Sequence, residues 1–207
     1  MPVPGAGEMR NASGRWKMVL VLLVCAAPVV ASYFTYYVIR PEGRRNYGEL
    51  IEPQRPLPSL QTIAPDGKEV ALTALKGQWL LISVAGAACD AGCQQRLYFQ
   101  RQLREALGKE KDRLDWVWLV NDKAAIDNRL LPALSTATVL RAPAEGLARW
   151  LPPAEGKSLE DHLYLIDPLG NLMMRFPAHM DATGAARVKR DLDRLLRASA
   201  SWDKEGR

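Results

Sequence analysis

The hydropathy pattern of the chain begins with one long apolar block and then changes to short runs. Met18 to Ile39, MVLVLLVCAAPVVASYFTYYVI, is 22 residues without a formal charge. At about 1.5 Å per helical residue that length crosses a hydrocarbon core of roughly 30 Å. Residues 40–58 follow with four prolines and no apolar periodicity, the pattern of an extended tether. From Ser59 the pattern is that of a folded domain. Two short apolar runs flank Pro65-Asp66-Gly67, a hairpin turn, and QWLLISVAG is a continuous apolar run that predicts a strand covered on both faces. From Asp90 to about Leu107 the residues Leu97, Leu103 and Leu107 recur at helical spacing. DWVWLVND predicts a second buried strand, with Trp116 and Trp118 on one face as core or domain-contact residues. ALSTATVLRAP and AEGLARWLPP predict a short strand and a short helix. HLYLIDPLGNLMMRFP predicts a hairpin turning at Asp167 to Gly170, with Met173 and Met174 on opposite sides of its second strand. A closing helix carries Ala186, Val188, Leu192, Leu195 and Leu196.

This order of elements predicts an α/β sandwich with a mixed sheet, in which a right-handed crossover sets the helix after Cys89 against one face. The segments are a tail over 1–17, an anchor over 18–39, a tether over 40–58, a domain over 59–200 and a polar tail over 201–207. Trp16, Tyr33, Phe34, Tyr36 and Tyr37 gather toward the ends of the anchor, where amphipathic rings favour the membrane interface. A cleaved leader ending at Val29-Val30-Ala31 is the rival, but the apolar run exceeds the usual leader core and continues past that point. Cys25 is read as a small apolar residue of the span. Arg10, Arg15 and Lys17 before the span face Arg40, Arg44 and Arg45 after it, so charge alone leaves orientation open. A short tail ahead of a long domain favours the tail inside and the domain outside the cytoplasm. The net charge of +5 is too small and too dispersed to indicate nucleic acid.

The chemistry concentrates in AGAACDAGCQQRLYFQRQL, where Cys89 and Cys93 stand four apart at a predicted helix start. At that spacing the two share a face of one helical turn, and the helix N-terminus favours thiolate over thiol. Three roles fit: a structural disulfide, a redox couple with Cys89 as nucleophile and Cys93 as resolver, or two soft ligands of a copper or zinc ion. His179 and Met180 fall in a loop expected to face solvent.

PLPSLQTIAPDGKEVALTALKGQWLLISVAGAACDAGC resembles the opening of an extracytoplasmic thioredoxin-like domain, and YLIDPLGNL resembles the later hairpin of that fold. The Cys89-Asp-Ala-Gly-Cys93 spacing is that of the Sco family, the copper-binding assembly factors of cytochrome c oxidase, whose anchored domains carry CxxxC. The resemblance covers roughly residues 57–197. It implies a thioredoxin-like sandwich behind one transmembrane helix, on the bacterial inner membrane with the domain in the periplasm. It also implies copper held by Cys89, Cys93 and a histidine from the loop ahead of Tyr164, where His162 stands. The implied partner is a copper oxidase subunit or another copper or thiol protein. A general thiol–disulfide oxidoreductase and a thioredoxin-like interaction module without metal are the alternatives.

The apolar block generates the first prediction. A reporter fused after Arg207 is expected to be active only outside the cytoplasm, with the span retained in the mature protein. An N-terminus mapped to Ser32 would instead mark a cleaved leader.

Overall fold

A computed structural model describes residues 8–39, 46–177 and 180–203. The first seven residues of the expected tail, residues 40–45 of the tether, His179 and residues 204–207 lie outside the described residues. The chain divides into two compact units, one up to residue 45 and one from Asn46 on. The first is helix α1, Glu8–Phe34, prolonged by a π-helical turn over Thr35–Ile39. Its stretch Gly14–Val38 is long and apolar enough to cross a membrane. Leu20, Leu22, Leu23 and Val30 are exposed along it, a surface suited to lipid. Pro28 sits inside the helix, and Thr35 Oγ1 donates to the Ala31 carbonyl at 2.8 Å.

The second unit is one eight-stranded mixed sheet. Its strands are β1 Glu49–Pro56, β2 Gln61–Ile63, β3 Glu69–Ala71, β4 Trp79–Ala85, β5 Leu114–Val120, β6 Thr138–Arg141, β7 Leu163–Ile166 and β8 Asn171–Phe176. They lie in the order β1-β8-β7-β4-β5-β6-β2-β3. Among the described residues three α-helices complete the unit, α2 Ala91–Ala106, α3 Ala144–Trp150 and α4 Ala182–Ser199, with short 3-10 turns between elements. β4, β5 and β6 run parallel, and the other pairings are antiparallel. Every residue of β4 is buried, as its unbroken apolar run requires. Leu80, Ile82 and Val84 pack on one face with Val117, Leu119, Tyr164 and the α3 residue Leu147. Trp79 and Leu81 pack on the other with Leu103 of α2 and Val188, Leu192 and Leu196 of α4. The parallel register pairs Ala85 with Val120 and Val120 with Arg141, so three strands end level and their following segments lie side by side.

The expected sandwich and mixed sheet are present, with three local differences. Residues 49–56, expected in the tether, form β1 and pair with β8 through a register shift between Leu50 and Arg55. Prolines 53 and 56 are tolerated because β1 is an edge strand. Asp191 of α4 fixes its approach by accepting the Tyr47 and Gly48 amides at 2.7 and 3.0 Å. Ala186, expected on the inner face of the closing helix, is exposed, while Asp191 and Ser199 are buried. The segment after α4, expected as a polar tail, returns Asp203 to the interior. Asp203 Oδ2 accepts from Arg113 Nη2 at 2.6 Å and from the Trp79 indole at 2.9 Å, and Ser199 Oγ accepts from the same two groups. A short-chain carboxylate is invisible to an apolar pattern, and here it is buried because a guanidinium and an indole meet it.

Asp203→Ala is expected to destabilise the unit by about 2–3 kcal/mol, because it leaves the buried Arg113 charge with Glu110 as its remaining carboxylate. Asp66→Ala, which removes an exposed pair with Lys68, serves as the control that leaves the urea midpoint in place.

Candidate functional site: a disulfide at the head of a helix

The fully buried strand β4 delivers the chain to a short loop, Gly86-Ala87-Ala88, that ends at Cys89. Asp90 then caps α2: its backbone is extended, and its side chain accepts the Cys93 amide at 2.8 Å. Cys93 is therefore the third residue of the helix, and Cys89 lies outside it, on the far side of the Asp90 cap. The two cysteines do not share a helical face, as the spacing alone predicts, because a cap at Asp90 requires the chain to turn at Cys89. That turn gives Cys89 a φ of 41°, in the left-handed region that non-glycine residues rarely occupy. The Cys89 amide donates to the Gly86 carbonyl at 3.1 Å, and Gln94 Nε2 donates to the Cys89 carbonyl at 3.0 Å. Cys89 and Cys93 are joined by a disulfide, with their Cα atoms 5.1 Å apart. Both are covered, at 3% and 2% exposure, in an apolar cluster with Leu97, Trp116, Trp118, Val120 and Leu134.

One polar side chain sets the helix over the sheet. The buried face of α2 is Cys93, Leu97, Gln100 and Leu103. The carboxamide of Gln100 donates to the Leu81 carbonyl at 2.7 Å and the Val117 carbonyl at 3.1 Å, and accepts from Ser83 Oγ at 2.9 Å. Sequence reasoning passes over Gln100 as a polar spacer. The available signal was its place between Leu97 and Leu103 on the apolar stripe, with Ser83 as the lone hydroxyl within β4.

The loop ahead of β7 does approach the start of α2. Asp161, Leu163 and Pro177 line a small crevice together with Gly92, Arg96 and Phe99. Asp161 ends a 3-10 turn, Leu159–Asp161, where it and Ser158 form a reciprocal capping box. Its carboxyl is held below the ordinary value, first by the Ser158 backbone N–H and further by the Arg96 charge. His162 is turned inward at 2% exposure. Its Nε2 accepts from the Ala154 amide at 3.1 Å, so Nδ1 carries the proton and donates to the Phe176 carbonyl at 2.9 Å. Both ring nitrogens thus have backbone partners. Among the described residues no group of three or more His, Cys, Asp or Glu side chains is placed to hold a metal ion. The copper set of Cys89, Cys93 and His162 implied by the resemblance is not assembled in this arrangement. Met174 is buried and Met173 half-buried in β8.

Burial pushes the His162 imidazole below its ordinary value of 6.5; the Phe176 carbonyl opposes this and the Arg175 charge adds to it. As pH falls through that ordinary value the unfolded chain takes up a proton that the folded chain does not, so stability declines until the folded imidazole also titrates. Urea denaturation of the oxidised chain from pH 7.5 to 5 is expected to show this loss, with a slope of up to about 1.4 kcal/mol per pH unit. His162→Gln is expected to be less stable at neutral pH and to lack that part of the slope. Equal slopes would refute the burial effect.

Residues 79–199, more than half of the chain, match the protein family described as "Transmembrane-like, thioredoxin-like, C-terminal domain". No curated protein matches the chain. Among solved structures the fold is similar to a SCO1/SenC family lipoprotein from Bacillus anthracis, at 17% identity and a TM-score of 0.53, over 72% of this chain and 99% of that one. It is similar to the apo Sco1 protein from Thermus thermophilus at 14% identity and a TM-score of 0.53, over 74% and 96%. The thioredoxin domain of a thiol-disulfide oxidoreductase from Bacteroides vulgatus compares at 15% identity and a TM-score of 0.51, over 68% and 95%. At these identities the likeness is one of fold, a thioredoxin-like sandwich. Because the family match runs from the central strand through the disulfide to the closing helix, the chain belongs to the transmembrane-like, thioredoxin-like C-terminal domain family.

Proposed function

We propose that the chain is a membrane-anchored thiol–disulfide redox protein acting outside the cytoplasm through the Cys89–Cys93 couple. The observation that carries this reading is the pairing of the two cysteines across the first turn of α2, on a thioredoxin-like scaffold. A bridge that closes so short a loop contributes little chain-entropy stabilisation, so holding the fold together is a weak reason for it. In the redox reaction a client thiolate attacks the bridge and forms a mixed disulfide at Cys89, while the Cys93 sulfur leaves as a thiolate favoured by the helix N-terminus. A second client thiol then displaces Cys89. The client dithiol becomes a disulfide, and its two electrons and two protons reside on Cys89 and Cys93. The reverse sequence reduces a client.

Copper is the second reading, favoured by one observation: the two sulfurs converge at bonding distance, which on reduction provides two soft donors suited to Cu(I). The Sco-like spacing and the Sco proteins among the structures of similar fold point to copper as cargo for a cytochrome c oxidase subunit on the bacterial inner membrane. A ligand role for His162 would require it to release the Ala154 amide or the Phe176 carbonyl.

The full chain in detergent, equilibrated in glutathione redox buffers and then alkylated and weighed, is expected to interconvert fully between disulfide and dithiol. Cys93→Ser is expected to trap a mixed disulfide at Cys89. A bridge that resists strong reductant in the folded protein would favour the structural role and sink the redox reading. Anaerobic Cu(I) loading, beside a Cys89→Ala, Cys93→Ala variant, tests the second reading. About one copper above the variant, weakened by His162→Ala, supports it, and no excess ends it.

A further inference from the structure

The loop that carries Cys89 is fastened to the neighbouring strand by a carboxylate that the redox chemistry itself does not use. β4 and β5 end level, and two residues beyond β5 stands Asp122. Its Oδ2 accepts the Ala87 amide at 3.0 Å, two residues before Cys89, and its Oδ1 accepts the Ala124 amide at 3.1 Å. Arg141, at the end of β6, donates to the Asp122 carbonyl at 2.8 Å and brings its guanidinium within 3.9 Å of the carboxylate. Gly86 lies so close that a Cβ there would stand 2.6 Å from Asp122 Oδ2, although its φ is not in the left-handed region. The neighbouring Asn121 continues the fastening: its amide donates to the Ala85 carbonyl at 3.3 Å, and its Nδ2 donates to Glu160 Oε1 at 2.8 Å.

We propose that Asp122 is the positioning residue of the Cys89–Cys93 couple: by clasping the loop from Gly86 to Cys89 it keeps the reduced cysteines arranged for reclosure and so sets the reduction potential. This rests on the redox reading of the site. The left-handed conformation of Cys89 is unfavourable for a residue with a Cβ and persists only where its surroundings enforce it. In the oxidised chain the bond to Cys93 enforces it, since Cys93 is fixed in α2 by the Asp90 cap. Reduction by a dithiol breaks the S–S bond and forms two S–H bonds, while the reductant's two thiols close a disulfide of their own. That restraint is then gone. What remains is the Asp122 clasp on Ala87, the Gly86 carbonyl on the Cys89 amide and Gln94 on the Cys89 carbonyl. With the clasp intact the dithiol keeps the turn of the disulfide, and the two sulfurs stay near one another. Without it Cys89 relaxes and the loop gains conformational freedom, which favours the dithiol and makes the couple more oxidising.

The test is the midpoint of the full chain in detergent, measured by alkylation and mass in glutathione buffers. Asp122→Ala and Gly86→Ala are each expected to lower the equilibrium constant for disulfide formation about tenfold, a shift of about 30 mV toward positive potential. Gly86→Ala retains the carboxylate charge and moves it off Ala87, so it separates positioning from a simple charge effect on the thiolates. Asp122→Asn, with one acceptor oxygen for two amides, is expected to fall between wild type and Asp122→Ala; as a near-isosteric change on an exposed residue it also guards against loss of the fold. A wild type that cycles while all three variants share its midpoint would overturn the proposal. So would shifts in both Asp122 variants with none in Gly86→Ala, which would assign the effect to charge. A wild-type bridge that resists every buffer would bring down the redox reading itself, and the positioning role with it.

Discussion

A buried carboxamide decides where the helix that bears Cys93 can sit. Gln100 has no exposure, and both ends of its amide are engaged, two carbonyls on β4 and β5 on one side and the Ser83 hydroxyl on the other. Apolar residues around it would pack α2 against the sheet at more than one height, since dispersion contacts carry little direction. The three hydrogen bonds in a low-dielectric interior accept one. Once that height is set, the helix start falls beside the end of β4, and the chain between them has only Gly86 to Cys89 in which to turn. The disulfide, the left-handed residue and the Asp90 cap all follow from that short distance.

The same logic of directed polar contacts fixes the ends of the folded unit. Asp191 gathers the Tyr47 and Gly48 amides onto α4, so the segment leading into the edge strand is held by the helix that closes the chain. At the other end Asp203 meets Arg113 and the Trp79 indole beneath that helix. The apolar core provides cohesion, and these few charges and amides provide the registry between sheet, helix and termini.

What the sequence made legible was what hydrophobic periodicity encodes. The continuous run from Trp79 to Ala85, the stripe of Leu97, Leu103 and Leu107, and the Asp167-to-Gly170 turn all stand where the pattern places them. The closeness of the cysteine pair and its place at a helix start were also legible. Contacts between polar groups distant in the chain were hidden. β1 carries Ile51 as its buried residue and two prolines, and only its pairing with β8 makes it a strand. Asp203 reads as tail until Arg113 is seen opposite. His162 reads as a ligand because a lone imidazole near a cysteine pair invites it. Its actual partners, the Ala154 amide and the Phe176 carbonyl, are backbone groups that no residue pattern advertises. Gln100 and Asp122 were hidden for the same reason, each acting through backbone atoms of another strand or loop.

The depth of the cysteine pair has a kinetic meaning separate from its equilibrium. Exchange requires an attacking sulfur to approach in line with the bridge, and Trp116, Trp118 and Leu134 belong to the packed cluster that covers the two cysteines. A small thiol arriving by diffusion meets that cover, whereas a protein client can offset the cost of displacing it with its own binding surface. Burial thereby turns access into a form of selectivity. Two couples of equal potential can exchange at very different rates: a couple sheltered in this way reaches equilibrium with small thiols slowly, on long incubation, and exchanges fast with a partner shaped to reach it.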